Sequence, residues 1–461
     1  MSFRRRFAIL WLSSLVLATL ILSGQAAPRL AAQASPAPQK AATAQPSTQP
    51  GIQFDSQSTT QSRSQQAYTL SPGQLAKAIA LSRIRNTLDI AGSLWGIAVL
   101  WLLLATRTSA GLEAWTQRLT SRRWLQGLIF FAFFFLITAI AGLPLDLYGQ
   151  HAERSYQISV QSWASWFGDA GKSLALTLAL GSPLLLLFNW TVRKWPRRYW
   201  LAAWAVTLPI LVIVVFGAPL VGPLFDKFEP LSLEHEALVE QLEKVVARTG
   251  TNIPPSRMFL MKASTKTNGL NAYVTGIGAT KRIVVWDTTA GRIPNDEILF
   301  IFAHETGHYV LHHIPKGIAL SAVGLFFIYW ACSAFAAWLI RRCGSRWGAT
   351  NLASRTGFVV LLFVLTVASF LIEPVSNGIS RYFEHQADVY GQEALHGIVP
   401  DPQKTAVAAF NDLGKAWLDD PNPNPLIEFW LYNHPSTEHR AEFALHYDPW
   451  ANGGHGRFFA Q

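Results

Sequence analysis

Seven apolar runs punctuate this chain of 461 residues. The first follows Arg4–Arg6, and the others lie near 88–105, 125–145, 173–192, 200–221, 317–340 and 356–374. Each is long enough, or nearly so, for the ~20 residues a helix needs to cross a bilayer. Pro209 and Pro219 predict a kink in the run at 200–221. The polar stretches between runs have periods of their own. "LEHEALVEQLEKVVARTG" repeats its apolar positions with a helical period and stops at Gly250. "SRMFLMKAS", "LNAYVTG" and "KRIVVWDT" alternate as strands do, with Gly276 and Gly278 in the turn between the last two. "PNDEILFIFAHETGHYVLHH" predicts a helix capped by Asn295 or Asp296, and "SNGISRYFEHQADVYGQEAL" predicts another. The pattern predicts a mainly α-helical polytopic membrane protein of six or seven spans carrying a small α+β lobe.

The first 27 residues read as a signal peptide or an uncleaved first span. Residues 28–72 are rich in Ala, Gln, Ser, Thr and Pro and read as a low-complexity linker. Residues 73–221 then form an N-terminal membrane domain of four spans. The lobe comes in two parts, 222–316 and 375–447, split by two spans in 317–374 and followed by a tail at 448–461.

Composition supports the membrane assignment. Half of the residues are hydrophobic and 14% are charged, against roughly 25% charged in soluble domains. The 18 Trp and 28 Phe suit lipid contact and interfacial belts. The net charge of +10 is gathered into short loops: Arg107, Arg118, Arg122 and Arg123; Arg193, Lys194, Arg197 and Arg198; Arg341, Arg342, Arg346 and Arg355. These are topology signals and not a nucleic-acid footprint. They assign those loops to the cytoplasm and segments 146–172, 222–316 and 375–461 to the other side. With the signal-like start, the expectation is a bacterial inner-membrane protein whose lobe is extracytoplasmic. Cys332 and Cys343, the two cysteines, have no metal-ligand spacing.

Within "FAHETGHYVLHH", His304 and His308 stand at i and i+4, on one helix face, where both imidazoles can reach one ion. Zinc accepts such nitrogens and, in catalytic sites, keeps three protein ligands plus an open position. Glu305, beside the first histidine, can take a proton from water held there. Chance supplies these three fixed residues in about one chain of this length in a hundred. A third ligand is required, and Glu373, Glu384, His385, Asp388, Glu393 and His434 are all candidates on the same side. Glu384 and Asp388 share a face at i and i+4, so one can ligate while the other hydrogen-bonds a ligand imidazole. His312 and His313 are expected at the membrane interface, with crowding or touching the metal site as the alternative.

"HETGH" followed across two spans by "NGISRYFEHQADVYG" resembles the integral-membrane zinc proteases of the type I CAAX prenyl protease family. "NAYVTGIGATKRIVVWDT" is similar to that family's substrate-binding hairpin, and "YNHPSTEHRAEF" to its C-terminal His-Pro motif. The resemblance runs from about residue 70 to about 447. It implies helices around a large chamber and a gluzincin lobe with Zn2+ held by His304, His308 and Glu384. It further implies Glu305 as general base and Asp388 orienting a ligand imidazole. His434 would stabilise the oxyanion, supported by Arg440. Asn271 and Ala272 would meet a peptide or protein substrate bound as an extended strand. Arg381 is expected to pair with a carboxylate.

The reaction implied is peptide-bond hydrolysis by a zinc metalloendopeptidase. Prenylated substrates arise in the eukaryotic cytosol, so an extracytoplasmic lobe favours misfolded or membrane-proximal polypeptides. The rival from another class is a membrane scaffold with a structural, four-coordinate zinc site, for which Glu305 has no use. Transport lacks support, because no span carries a clear set of buried charges.

Overall fold

The computed structural model describes residues 67–276 and 278–459. The signal and most of the linker, residues 1–66, lie outside the described residues. The chain enters at Ala67, inside the stretch read as linker, and Tyr68 is fully buried against the lobe. The Ala67 and Tyr68 amides both donate to the Glu438 carboxylate.

Among the described residues, six helical segments are long and apolar enough to cross a membrane. Helix α1 (Pro72–Ala105) starts on a capping box, Ser71 with Gln74. A short helix α2 (Thr108–Leu119) leads to α3 (Arg123–Ser155). The third span joins α4 (Trp163–Leu176) to α5 (Ser182–Lys194) through a π-helical turn at Thr177–Gly181. Helix α6 (Tyr199–Val221) completes the N-terminal membrane half. Its interior is filled by large rings, Phe130, Phe131, Phe134, Phe135, Phe188 and Phe358, packed with Leu100 and Leu104. Cys332 is buried in the same core, and both cysteines are free thiols.

The lobe begins with β1 (Phe228–Pro230) and α7 (Glu236–Thr249), the latter ended by Gly250 at φ 65°. Then come β2 (Met258–Met261), β3 (Ala272–Thr275) and β4 (Arg282–Trp286). The sheet order is β1-β2-β4-β3, with β2 and β4 parallel and the other pairs antiparallel. Strand β3 is therefore an edge. Helix α8 (Asn295–Val310) crosses beneath it, and its cap is Pro294, with no side-chain cap bond from Asn295 or Asp296. Asp296 and Glu297 lie instead in the first turn, where the charge of Asp296 complements the helix dipole.

At His312 the backbone turns through φ 58°, and α9 (His313–Trp347) runs back through the membrane. Helix α10 (Arg355–Ala394) returns as one 40-residue helix, so the second half of the lobe is continuous with a span. Helices α11 (Pro402–Trp417), α12 (Pro425–Leu431) and α13 (Thr437–His446) close the lobe. The lobe core joins Leu238, Leu242 and Val245 of α7 to Ile283 and Val285 of β4, Phe300 and Phe302 of α8, and Phe410 of α11.

The three basic loops meet at the end of the bundle far from the lobe. Arg107 donates to the carbonyls of Ser345 and Arg346 at the C-terminus of α9. Glu113 accepts from the Arg355 and Thr356 amides at 3.0 and 2.9 Å, capping α10. Asn189 reaches the Ala353 carbonyl at 3.5 Å.

Candidate metal centre and active site

The contact between α8 and α10 builds the site, and two glycines permit its closeness. The Tyr390 Cβ lies 3.1 Å from where a Cβ on Gly307 would stand, and a Cβ on Gly391 would meet the His304 nitrogen at 3.0 Å. With the helices this near, Glu384 and Asp388 of α10 reach the two histidines of α8.

His304 Nε2 lies 3.3 Å from His308 Nε2 and 3.3 Å from Glu384 Oε2, and His308 Nε2 lies 3.5 Å from Glu384 Oε1. Donors around a tetrahedral ion with bonds of about 2.0–2.1 Å stand roughly 3.3–3.4 Å apart. The two imidazole nitrogens have the spacing that one small cation requires, and each faces a different oxygen of the same carboxylate. Glu384 is 3% exposed. Its Oε2 is approached by His304, by His434 Nε2 at 3.2 Å and by Arg440 Nη2 at 3.8 Å, yet no donor meets it with hydrogen-bond geometry. A buried carboxylate oxygen in that condition is costly without a cation. The residues fit a metal ion.

Behind this trio, Asp388 Oδ1 lies 2.8 Å from His304 Nδ1. Arg440 donates both arms to Asp388, Nη2 to Oδ1 at 2.6 Å and Nε to Oδ2 at 2.9 Å, and its guanidinium stacks over Phe410. Arg440 is thus committed to the carboxylate pair. His434 is more open; its Nδ1 faces Asn433 Oδ1 at 2.9 Å.

Glu305 lies next to His304 and beneath the sheet edge. Burial pushes its carboxyl up to about 7, with Glu384 adding to the rise, while His304, the Val274 amide and Arg440 pull the other way. A nearby dication would draw it down further.

The Val274 hydrogen bond reveals how β3 is oriented. In an antiparallel pair, successive residues direct their main-chain groups to alternate sides. Asn271 spends both of its groups inward: its carbonyl accepts from Trp286 N and Thr289 Oγ1, and its amide donates to Thr289 Oγ1. By alternation Ala272 and Val274 face the outer edge, toward the site. The sequence reading grouped Asn271 with Ala272; the register separates them. Asn271 has only its side chain to offer, and its buried Nδ2 has no hydrogen-bond partner.

Among the described residues Arg381 makes no close ion pair with a carboxylate, and Glu428 acts on it only through its charge. Its Nη1 donates to the carbonyls of Glu428, Phe429 and Tyr432, tying α10 to α12, because α12 ends with its last carbonyls pointing at it. His313 follows the alternative course and touches the metal site: it is 3% exposed and its Nδ1 stands 3.1 Å from His308 Nδ1. Its position directly after the helix break at His312 was the available signal.

Residues 232–448 match peptidase family M48, and residues 57–227 match the CAAX prenyl protease N-terminal region, described as five membrane helices. An uncharacterized metalloprotease of Bacillus subtilis, YhfN, is 34% identical over 380 residues, covering 81% of this chain and 86% of the relative. CAAX prenyl protease 1 of Saccharomyces cerevisiae is 27% identical over 334 residues, covering 68% of this chain and 71% of its own. The crystal structure of S. mikatae Ste24p superposes with a TM-score of 0.71 at 24% identity, over 82% of this chain and 90% of that one. With six membrane-length helices and a metal-competent trio, these matches define an integral-membrane metalloprotease. The chain belongs to peptidase family M48, among the relatives of the CAAX prenyl proteases.

Proposed function

We propose that this metalloprotease is a zinc endopeptidase that cuts extended polypeptide segments at the membrane boundary. The observation that carries the reading is the convergence of His304, His308 and Glu384, whose nearest donor atoms approach pairwise at 3.3–3.5 Å, with Glu305 adjoining them and the β3 edge alongside. His304, His308 and Glu384 would hold the ion. Zinc, when bound there, supplies Lewis acidity that polarises a peptide carbonyl and acidifies water.

The remaining work falls to the chain's own residues. A substrate segment lies against β3 as an added strand, its main-chain groups satisfied by Ala272 and its side chains reached by the Asn271 amide. Glu305 takes the proton of the attacking water and passes it to the leaving amine. His434, on the open side of Glu384, donates toward the oxyanion that develops on the cleaved carbonyl, an effect on the order of 3 kcal/mol. Asp388 holds His304 by its Nδ1, and Arg440 holds Asp388.

The basic loops gathered opposite the lobe support a cytoplasmic position for that end and an extracytoplasmic position for the site. In a bacterial inner membrane such a site meets misfolded or membrane-proximal polypeptides, not prenylated ones. A scaffold with a structural metal would leave Glu305 without a purpose. Replacing it decides the matter: Glu305→Gln is expected to retain stoichiometric zinc and to lose cleavage of a peptide library. Cleavage by the metal-loaded variant at the wild-type rate refutes the assignment.

A further inference from the structure

His313 stands outside the trio, yet its ring is held on three sides. Nδ1 lies 3.1 Å from His308 Nδ1, Nε2 lies 3.0 Å from Gln386 Oε1, and the ring stacks on Phe383 with centroids 4.5 Å apart and planes 9° from parallel. Gln386 Nε2 in turn donates to the Tyr382 hydroxyl at 3.1 Å. Tyr382 is 58% exposed, so the row runs from the metal centre to the surface.

Two imidazole nitrogens facing each other at 3.1 Å need one proton between them. The His308 Nε2 points at His304 Nε2 and Glu384 Oε1, so a bound cation requires that nitrogen bare. A neutral imidazole then carries its proton on Nδ1. That proton points at His313 Nδ1, which must accept it. The proton of His313 accordingly resides on Nε2 and is donated to Gln386 Oε1. The Gln386 amide group is left facing Tyr382 as a donor, as found. Every tautomer and amide orientation in the row follows from ligation through His308 Nε2, with a donor facing an acceptor at each contact.

We propose that His313 is the positioning residue of His308, holding it in the ligating tautomer and ring orientation, with Gln386 as the outer brace. This assignment rests on the trio being a metal site. The two ligand imidazoles are then backed differently: His304 by the Asp388 carboxylate and His308 by a neutral ring. His313 is also the first residue of α9, so the metal centre is tied to the head of a membrane helix.

The full-length protein, purified in detergent, is titrated with Zn2+ against a chromophoric chelator, and its Co2+-loaded form is followed by visible absorption. His313→Phe keeps the ring stack and removes both nitrogens. It is expected to weaken Zn2+ binding by roughly 10- to 100-fold and to alter the Co2+ spectrum. His313→Asn returns an acceptor oxygen near the Nδ1 position and is expected to recover most of the affinity. Wild-type affinity in His313→Phe, or no recovery in His313→Asn, overturns the assignment. Should the His313 variants not fold, the half-buried Gln386 decides: Gln386→Leu is expected to weaken Zn2+ binding and Gln386→Glu to preserve it, while equal affinities overturn the proposal. A wild-type protein that binds no Zn2+ defeats the metal reading itself; wild-type binding with unaffected variants defeats only His313.

Discussion

Asp388 presents Oδ1 to His304 Nδ1 at 2.8 Å, and the same carboxylate takes both arms of Arg440. The carboxylate thus receives three charge-assisted contacts and remains nearly inaccessible, at 2% exposure. Such a partner fixes the imidazole tautomer and raises its basicity as a ligand. Asp388→Asn is expected to weaken metal binding by roughly 10- to 100-fold, and the neutral amide deprives Arg440 of its nearest counter-charge. A chelator titration of the purified variant checks this; unchanged affinity would mean that His304 needs no anchor.

The crossing of α8 and α10 leaves no room for a methyl group at Gly391. Gly391→Ala pushes against the His304 backbone, where nothing is free to yield. Overpacking of this kind costs about 1–3 kcal/mol. The expected outcome is a lower thermal midpoint in detergent together with reduced metal occupancy. Full occupancy at an unchanged midpoint would show that the helices can separate without harm.

Glu297 lies in the first turn of α8 at 7% exposure, and its Oε2 has no hydrogen-bond partner. Burial, reinforced by Asp412, raises its carboxyl to about 7 from the ordinary 4.5. Between those values the folded protein holds a proton that the unfolded chain has lost, so stability falls as pH rises from 4.5 through 7 and then levels. The penalty at pH 8 is on the order of 3 kcal/mol. Glu297→Gln is expected to raise the unfolding midpoint at pH 8 and to leave it nearly unchanged at pH 4.5. Equal gains at both pH values would assign the effect to something other than this proton.

Addition of substrate to the β3 edge predicts an alternating pattern of main-chain use. N-methylation scanned along a cleaved peptide should slow cleavage at every second position near the scissile bond, mainly through KM. A uniform effect along the peptide would argue against strand addition.

The orientation inferred from the basic loops can be read with reporters. Alkaline phosphatase joined after Gln461 is expected to be active, and a fluorescent protein that matures only in the cytoplasm is expected to be dark. The opposite pair of results would put the lobe on the cytoplasmic side.

Much of this was legible before any tertiary contact was known. The apolar runs at 88–105, 125–145, 173–192, 200–221, 317–340 and 356–374 each fall on one of the six membrane-length segments, because length and apolarity are local properties. Gly250 ends α7 for a local reason as well, the left-handed φ that glycine tolerates. Strand β1 was missed, since three residues ending in proline carry no period.

His304 and His308 share a face by spacing alone, so the local chain already determined half of the metal trio and the base beside it. What it could not determine was anything set by the approach of a second helix. Glu384 stands 76 residues beyond His308 in sequence and reaches it only where Gly307 and Gly391 let α8 and α10 close. The packing of α10 likewise sets Phe383 and Gln386 against His313 and Asp388 against Arg440, and the β3–β4 register turns Ala272 outward and Asn271 inward. Periodicity assigns a side chain to a face; the partner across that face depends on helix separation and strand register, which only the packed molecule decides.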